Sequence, residues 1–232
     1  MRNRCLSVIL LSLLLTLGAA AQVTPRPIGQ VPKKVAVQTP RLNVIQLVSP
    51  ELVVVDLGRD GLDLSGEVRT SLVTGSAAVM RWVKPQGDDA IVVVNATTLR
   101  AGGWSLTTAA GEQLDGFVFP RGGLRATDPS GASFAASDAR DLLARLDGNR
   151  DGRINKSDAA WSAIALFRDD NADGTIGAGE LTAAEELLRA IAVAASGSES
   201  SDAFGTSLVP GTARLRNGTT IAIAYVRPAA IK

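Results

Sequence analysis

A twelve-residue pattern occurs twice in this 232-residue chain and constrains everything around it. Aligned on a shared glycine, Asp147-Gly148-Asn149-Arg150-Asp151-Gly152-Arg153-Ile154-Asn155-Lys156-Ser157-Asp158 returns as Asp169-Asp170-Asn171-Ala172-Asp173-Gly174-Thr175-Ile176-Gly177-Ala178-Gly179-Glu180. Both copies carry side-chain oxygens at positions one, three and five, glycine at six, isoleucine at eight and a carboxylate at twelve. Asp, Asn and Gly suit turns and helix caps, so one copy alone says little. Two copies crowd carboxylates where their mutual repulsion costs stability unless a cation is present. A hard divalent cation taking roughly six to eight oxygens is the natural counter-charge.

Both segments resemble the EF-hand calcium loop, whose alternate oxygens wrap Ca²⁺ with little help from the rest of a protein. The resemblance implies calcium as the ligand and assigns roles by position. In the first loop Asp147, Asn149 and Asp151 give side-chain oxygens, and Gly152 permits the sharp turn. Arg153 gives its carbonyl, Asn155 acts directly or through water, and Asp158 closes the loop. In the second, the same roles fall to Asp169, Asn171, Asp173, Gly174, the Thr175 carbonyl, a water near Gly177, and Glu180. Ile154 and Ile176 are expected to point into the core while their backbones pair and couple the two loops. The second loop is expected to bind more tightly. Glu180 can give both oxygens, Arg150, Arg153 and Lys156 place three cations in the first loop, and Asp170 adds a carboxylate to the second.

The loops start 22 residues apart, which leaves room for one intervening helix, Asp158 to Phe167. That spacing is similar to a compact bacterial form of the EF-hand pair and to dockerins, modules that dock secreted enzymes onto cohesin scaffolds. Lys156-Ser157 and Ala178-Gly179 at positions ten and eleven differ from each other and depart from a matched recognition pair. Trp161, spaced helically with Ile164, Ala165 and Arg168, reads as a core residue rather than a docking anchor. Ala139, Leu142, Leu143 and Leu146, and then Leu181, Ala184, Leu188, Ile191 and Ala195, supply helical spacing on the outer flanks. Upstream, Val55-Asp56-Leu57-Gly58-Arg59-Asp60-Gly61 resembles the V-D-L-D-G-D-G opening of some exported RTX-like calcium proteins. Asp56, Asp60 and Glu67 fall at one, five and twelve of that segment, but Gly58 brings no oxygen at three and Asp63 replaces the apolar residue at eight. It reads as an Asp/Gly turn after a strand.

Elsewhere the grammar is that of strands. Leu52–Val55, Ala78–Val83, Ile91–Val94 and Phe117–Phe119 are β-branched or aromatic runs punctuated by Gly, Asp, Pro and Ser. Trp82 and Trp104 read as packing residues, and Asp88, Asp89 and Asp115 as exposed turn residues. Thr212–Arg216 and Thr219–Val226 flank Asn217-Gly218, a two-residue hairpin signal. A lone hairpin is marginal, so this one is expected to rejoin the earlier strands. The expected fold class is α+β. It comprises an antiparallel β segment at 51–133, a compact paired EF-hand helical unit at 134–195, and a polar loop with a C-terminal β-hairpin at 196–232.

The remaining segments concern address and exclusion. Residues 1–21 combine Arg2 and Arg4, an apolar run from Cys5 to Leu17 and small residues to Ala21, the three-part pattern of a cleaved secretory signal peptide. That run falls short of the ~20 residues of a membrane span, so no stable membrane span is expected after cleavage. A bacterial protein, secreted or periplasmic, is the expectation. Residues 22–50 hold five prolines, four basic residues and no acidic one, and read as a Pro-rich linker. With no histidine and one cysteine in the whole chain, Ser-His-Asp and Cys-His catalysis and the common zinc sites are excluded. A formal charge of +1 gives no pull toward nucleic acid. The sequence favours a non-enzymatic calcium-binding protein with a structural or interaction role and an unidentified protein partner. The alternatives are a carboxylate-based hydrolase and a dockerin-like docking module.

Overall fold

The computed structural model describes residues 51–70, 78–203 and 205–228. The expected signal segment at 1–21 and the Pro-rich linker at 22–50 lie outside the described residues. Fifteen strands and three short helices make up the described fold. They are β1 (Leu52–Asp56), β2 (Gly66–Thr70), β3 (Ala78–Trp82), β4 (Asp89–Asn95), α1 (Ala96–Ala101), β5 (Ser105–Thr107), β6 (Phe117–Val118), β7 (Arg125–Thr127) and β8 (Ser133–Ala135). Then come α2 (Ala139–Leu146), β9 (Arg153–Asn155), β10 (Ile164–Phe167), β11 (Leu181–Ala183), α3 (Ala184–Leu187), β12 (Leu188–Ala192), β13 (Ser200–Ser201), β14 (Ser207–Leu215) and β15 (Thr220–Arg227).

One large antiparallel sheet runs β11-β10-β4-β1-β15-β14-β12-β9, with β6 added to β4 and β13 to β14. A β2–β3 hairpin and a three-stranded β5-β7-β8 sheet accompany it. The central strands bury both faces, which is why they read as unbroken apolar runs rather than alternating ones. Val53, Val55, Val92, Val94, Ile223 and Tyr225 face one core with the apolar side of α2. Leu52, Val54, Ile91, Val93, Ala224 and Val226 face a second core, which the hairpin closes with Val68, Met80 and Trp82. Trp82 meets Phe119 edge-to-face at 6.0 Å between ring centroids, and Phe119 in turn lies 6.2 Å from Phe167.

The fold is therefore predominantly β, and the expected α+β class with a compact helical unit at 134–195 is overturned. Only α2 forms as a regular helix beside the loops. Asp138 caps it by accepting the Asp141 N–H at 2.7 Å, while Asp141 accepts the Ser137 N–H at 2.9 Å. The segment expected as the intervening helix, Asp158 to Phe167, is instead a single 3₁₀ turn at Trp161–Ala163 followed by β10. Ile164–Phe167 are buried on both sides between β4 and β11, a setting in which a short apolar run becomes a strand. The helical spacing from Leu181 to Ala195 fails in the same way. Only Ala184–Leu187 coils, and Leu188–Ala192 joins the sheet between β14 and β9 through an irregular register at Leu188/Ala190. Tertiary pairing overrides local propensity here.

The C-terminal hairpin lies in the sheet, with β15 paired to β1 from Leu52↔Val226 to Val55↔Ile223. Its connection is longer than the expected two residues, because the strands end at Leu215 and resume at Thr220. Gly218 takes φ 90° there, and its N–H donates to the Leu215 carbonyl at 2.9 Å. Trp82, Trp104 and Trp161 are all buried.

Candidate metal centre

Each loop is delivered by the element before it. Helix α2 ends at Leu146, so its C-cap is Asp147, position one of the first loop. Strand β10 ends at Phe167, and Asp169 follows two residues later. Both position-one carboxylates are buried, Asp147 at 5% exposure and Asp169 at 2%.

From there the two loops fold alike. Arg150 and Ala172 at position four have φ 57° and 59°, and Gly152 and Gly174 at six have φ 84° and 66°. Asp147 accepts the N–H of Asp151 at 3.2 Å and of Gly152 at 2.8 Å. Asp169 accepts those of Asp173 at 3.1 Å and Gly174 at 2.9 Å. Asn149 accepts the Asp151 N–H at 2.9 Å, and Asn171 accepts the Asp173 N–H at 2.8 Å. Asp151 accepts the Arg153 N–H at 3.0 Å, and Asp173 accepts the Thr175 N–H at 2.6 Å. At the closing position, Asp158 accepts the N–H of Asn155 at 2.9 Å and Glu180 that of Gly177 at 3.2 Å. These bonds turn the carboxylates and amides of positions one, three, five and twelve toward the inside of each loop.

In the second loop, carboxylate oxygens of Asp169, Asp173 and Glu180 lie within 4.8 Å of one another. Burial holds the Asp169 carboxyl above the usual carboxylate range, and the Glu180 charge adds to this against the N–H bonds from Gly174 and Asp173. The Trp82 indole N–H lies beside Asp169 without meeting hydrogen-bond geometry. Arg168 pairs with Asp170 at 3.4 Å, so the extra carboxylate of this loop comes with its own counter-ion. In the first loop Asn155 sends its amide toward Asp151 at 3.3 Å and accepts the Ser157 N–H at 2.9 Å. Arg153 and Thr175 occupy position seven, where a main-chain carbonyl is the available donor. The donor set is oxygen throughout, which suits a hard cation and gives a soft metal no purchase.

The expected coupling of the loops through position eight does not occur. Ile154 pairs with Ile191 of β12 and belongs to the α2-side core, whereas Ile176 packs at the edge of the hairpin-side core. With a strand rather than a helix between the loops, the Ile154 backbone joins the large sheet while Ile176 belongs to no described strand.

The turn after β1 departs from its expected membership. Glu67, position twelve by count, sits on β2 opposite Arg81 and 3.9 Å from its guanidinium. Asp89, expected as an exposed turn residue, opens β4 and is 3% exposed. Burial pushes its carboxyl up to about 6, opposed by a bond from the Asp63 N–H and reinforced by the charges of Asp56, Asp88 and Asp60. A carboxylate just before the apolar run Ile91–Val94 was the available signal for that burial.

Residues 126–227 match the family described as SPM domain, a stretch that contains both loops and the C-terminal hairpin. No curated protein matches the chain. Among the described residues, no helix is long and apolar enough to cross a membrane.

Proposed function

We infer that the chain is an exported calcium-binding protein in which two EF-hand-type loops, set in a β scaffold, hold Ca²⁺ for a structural or interaction role. The observation that carries this reading is the repetition, loop for loop, of one backbone and hydrogen-bond arrangement around oxygen donors. Asp147, Asn149, Asp151, the Arg153 carbonyl, Asn155 and Asp158 serve the first ion. Asp169, Asn171, Asp173, the Thr175 carbonyl and Glu180 serve the second. Isolated turns have no reason to share left-handed residues at both positions four and six, nor to bury position one each time. The loop carboxylates are tied to their own main-chain N–H groups, an arrangement suited to holding an ion rather than exchanging protons with a substrate. This favours a binding protein over an enzyme.

Calorimetric titration of the chelator-treated chain with CaCl₂ tests the reading. Binding at ~10⁻⁴–10⁻³ M is expected, the range of extracellular modules of this kind. Asp151→Ala and Asp173→Ala are each expected to remove one site. Binding that survives unchanged in the double variant, or absence of binding in the parent, overturns the assignment.

A further inference from the structure

The turn after β1 repeats the loop backbone with only part of the loop's own oxygen set. Counting Asp56 as position one, Arg59 at four has φ 66° and Gly61 at six has φ 105°. Asp56 accepts the Gly61 N–H at 3.2 Å, as Asp147 accepts that of Gly152 and Asp169 that of Gly174. Two oxygens are missing from the segment itself. Gly58 has none at position three, and Glu67 at twelve is engaged with Arg81.

The connection from β3 to β4 supplies both. A Cβ on Gly58 would fall 1.3 Å from Asp88 Oδ2 and 2.5 Å from its Cγ, with Asp60 Oδ1 3.2 Å away. The Asp88 carboxylate thus fills the place that a position-three side chain would take. Asp89 stands directly opposite Asp56 in the β1–β4 register, and its Oδ2 accepts the Asp63 N–H at 2.6 Å. In the other two loops the closing carboxylate takes the equivalent N–H one residue later, at position nine. Asp89 Oδ1 is buried and finds no hydrogen-bond partner among the described residues. Like charges facing across a strand pair are destabilising, and a buried charged oxygen left unpaired costs more still. The charges acting most on Asp89 are those of Asp56, Asp88 and Asp60, all negative. A cation bound among these side chains would offset each of these charges.

We propose that Asp56, Asp60, Asp88 and Asp89 form a third Ca²⁺ site, with Asp88 and Asp89 standing in from a neighbouring turn for positions three and twelve. The site is independent of the two loops described above. It is read in the full chain carrying Asp151→Ala and Asp173→Ala, by titration with CaCl₂ after chelator treatment. One Ca²⁺ per chain is expected to bind this background. Adding Asp89→Asn should weaken that binding at least ten-fold, and adding Asp88→Ser, at an exposed position, several-fold, while Glu67→Gln leaves it unchanged. In chelator, Asp89→Asn should melt no lower than its parent, because it removes one of several repelling charges. Moving the carboxylate within the loop, Asp88→Gly with Gly58→Asp, should restore what Asp88→Gly loses. No binding in the double-alanine background overturns the proposal, as does an isotherm indifferent to Asp89→Asn or Asp88→Ser. Failure of the Gly58→Asp rescue overturns the assignment of Asp88 to position three. If Asp151→Ala and Asp173→Ala change nothing while Asp89→Asn removes the one ion bound, this site stands and the two-loop reading falls.

Discussion

The first and second loops share a twelve-residue pattern but are anchored in different ways. The first leaves an eight-residue helix, and its own residues Arg153–Asn155 become β9, an edge strand of the large sheet. Ile154 is fully buried there against Ile191. The second leaves a strand, contains no strand, and is closed at its neck by the Arg168 N–H donating to the Glu180 carbonyl at 2.9 Å. Its Ile176 is only partly buried. One loop is shaped by the sheet, the other chiefly by its own carboxylates. On the proposed reading, calcium is an addition to a finished structure at the first loop and the organiser of an unfinished one at the second.

The largest effect should come from testing the anchors themselves. Ile154→Ala removes a fully buried side chain and is expected to cost about 2–5 kcal/mol. At roughly 2–4 °C per kcal/mol, the melting temperature falls by a margin that is easily measured. Ile176→Ala is expected to cost about 1 kcal/mol or less, since less area leaves water there. Equal losses for the two variants would erase the distinction between sheet-shaped and self-shaped loops.

Calcium removal should fall on the two loops unequally. With a dissociation constant of ~10⁻⁴ M and ~10⁻³ M free calcium, each site adds roughly 1.4 kcal/mol. Two sites then shift the melting temperature by several degrees, and a melt unchanged by excess EGTA would contradict calcium binding altogether. Hydrogen exchange sharpens the comparison. In EGTA the amides of residues 153–155 should keep most of their protection through pairing with β12, while those of residues 171–177 lose theirs. Trp82, beside Asp169, should report the second loop as a calcium-dependent change in emission.

Affinity should run the other way from order. The second loop brings three carboxylates within 4.8 Å of one another, and Glu180 is long enough to chelate with both oxygens. The first carries Arg150, Arg153 and Lys156 within its twelve residues. Arg168, bridged to Asp170, reduces that advantage without cancelling it. A difference of roughly 1–2 kcal/mol before salt screening, about ten-fold in affinity, is expected in favour of the second loop. Separate titrations of Asp151→Ala, which leaves the second loop, and Asp173→Ala, which leaves the first, both carrying Asp89→Asn to weaken the proposed third site, measure it. A tighter site remaining in Asp173→Ala would reverse the order.

The shared loop geometry was legible in the sequence because the spacing of its Asp, Asn and Gly residues is set by the loop's own backbone, which needs nothing from outside. The scaffold was less legible. Leu52–Val55 and Ile91–Val94 announced strands, but Ile164–Phe167 and Leu188–Ala192 read equally as pieces of helix. Their strand state is imposed by β4 on one side and by β14 and β9 on the other. The pairing of Ile154 with Ile191, and the burial of Asp89 opposite Asp56, are likewise products of register between distant segments. No local pattern encodes a partner 37 or 33 residues away in the chain.

The smallest expected effect concerns the residues at positions nine and twelve, which differ between the loops as matched pairs. The first loop combines Asn155 with the short Asp158, the second Gly177 with the long Glu180. Gly177 has φ −90° and ψ 148°, a conformation open to any residue, so its glycine is not required by the backbone. It is favoured by space, because a Cβ there would stand 2.9 Å from Glu180 Oε2 and 3.6 Å from its Cδ. A side chain at 177 must push the closing carboxylate aside, and a flexible Glu can yield at modest cost. Gly177→Ala is therefore expected to weaken the second site roughly two- to five-fold, about 0.4–1 kcal/mol. Gly177→Asn should also weaken it, although it adds an oxygen at position nine. Glu180→Asp alone should weaken the site too, by shortening the reach to the ion. The pair Gly177→Asn with Glu180→Asp, which reproduces the first loop's combination, should lose less than the two single changes together. Strict additivity in that cycle, measured by calcium titration in the Asp151→Ala background, would show that positions nine and twelve act separately.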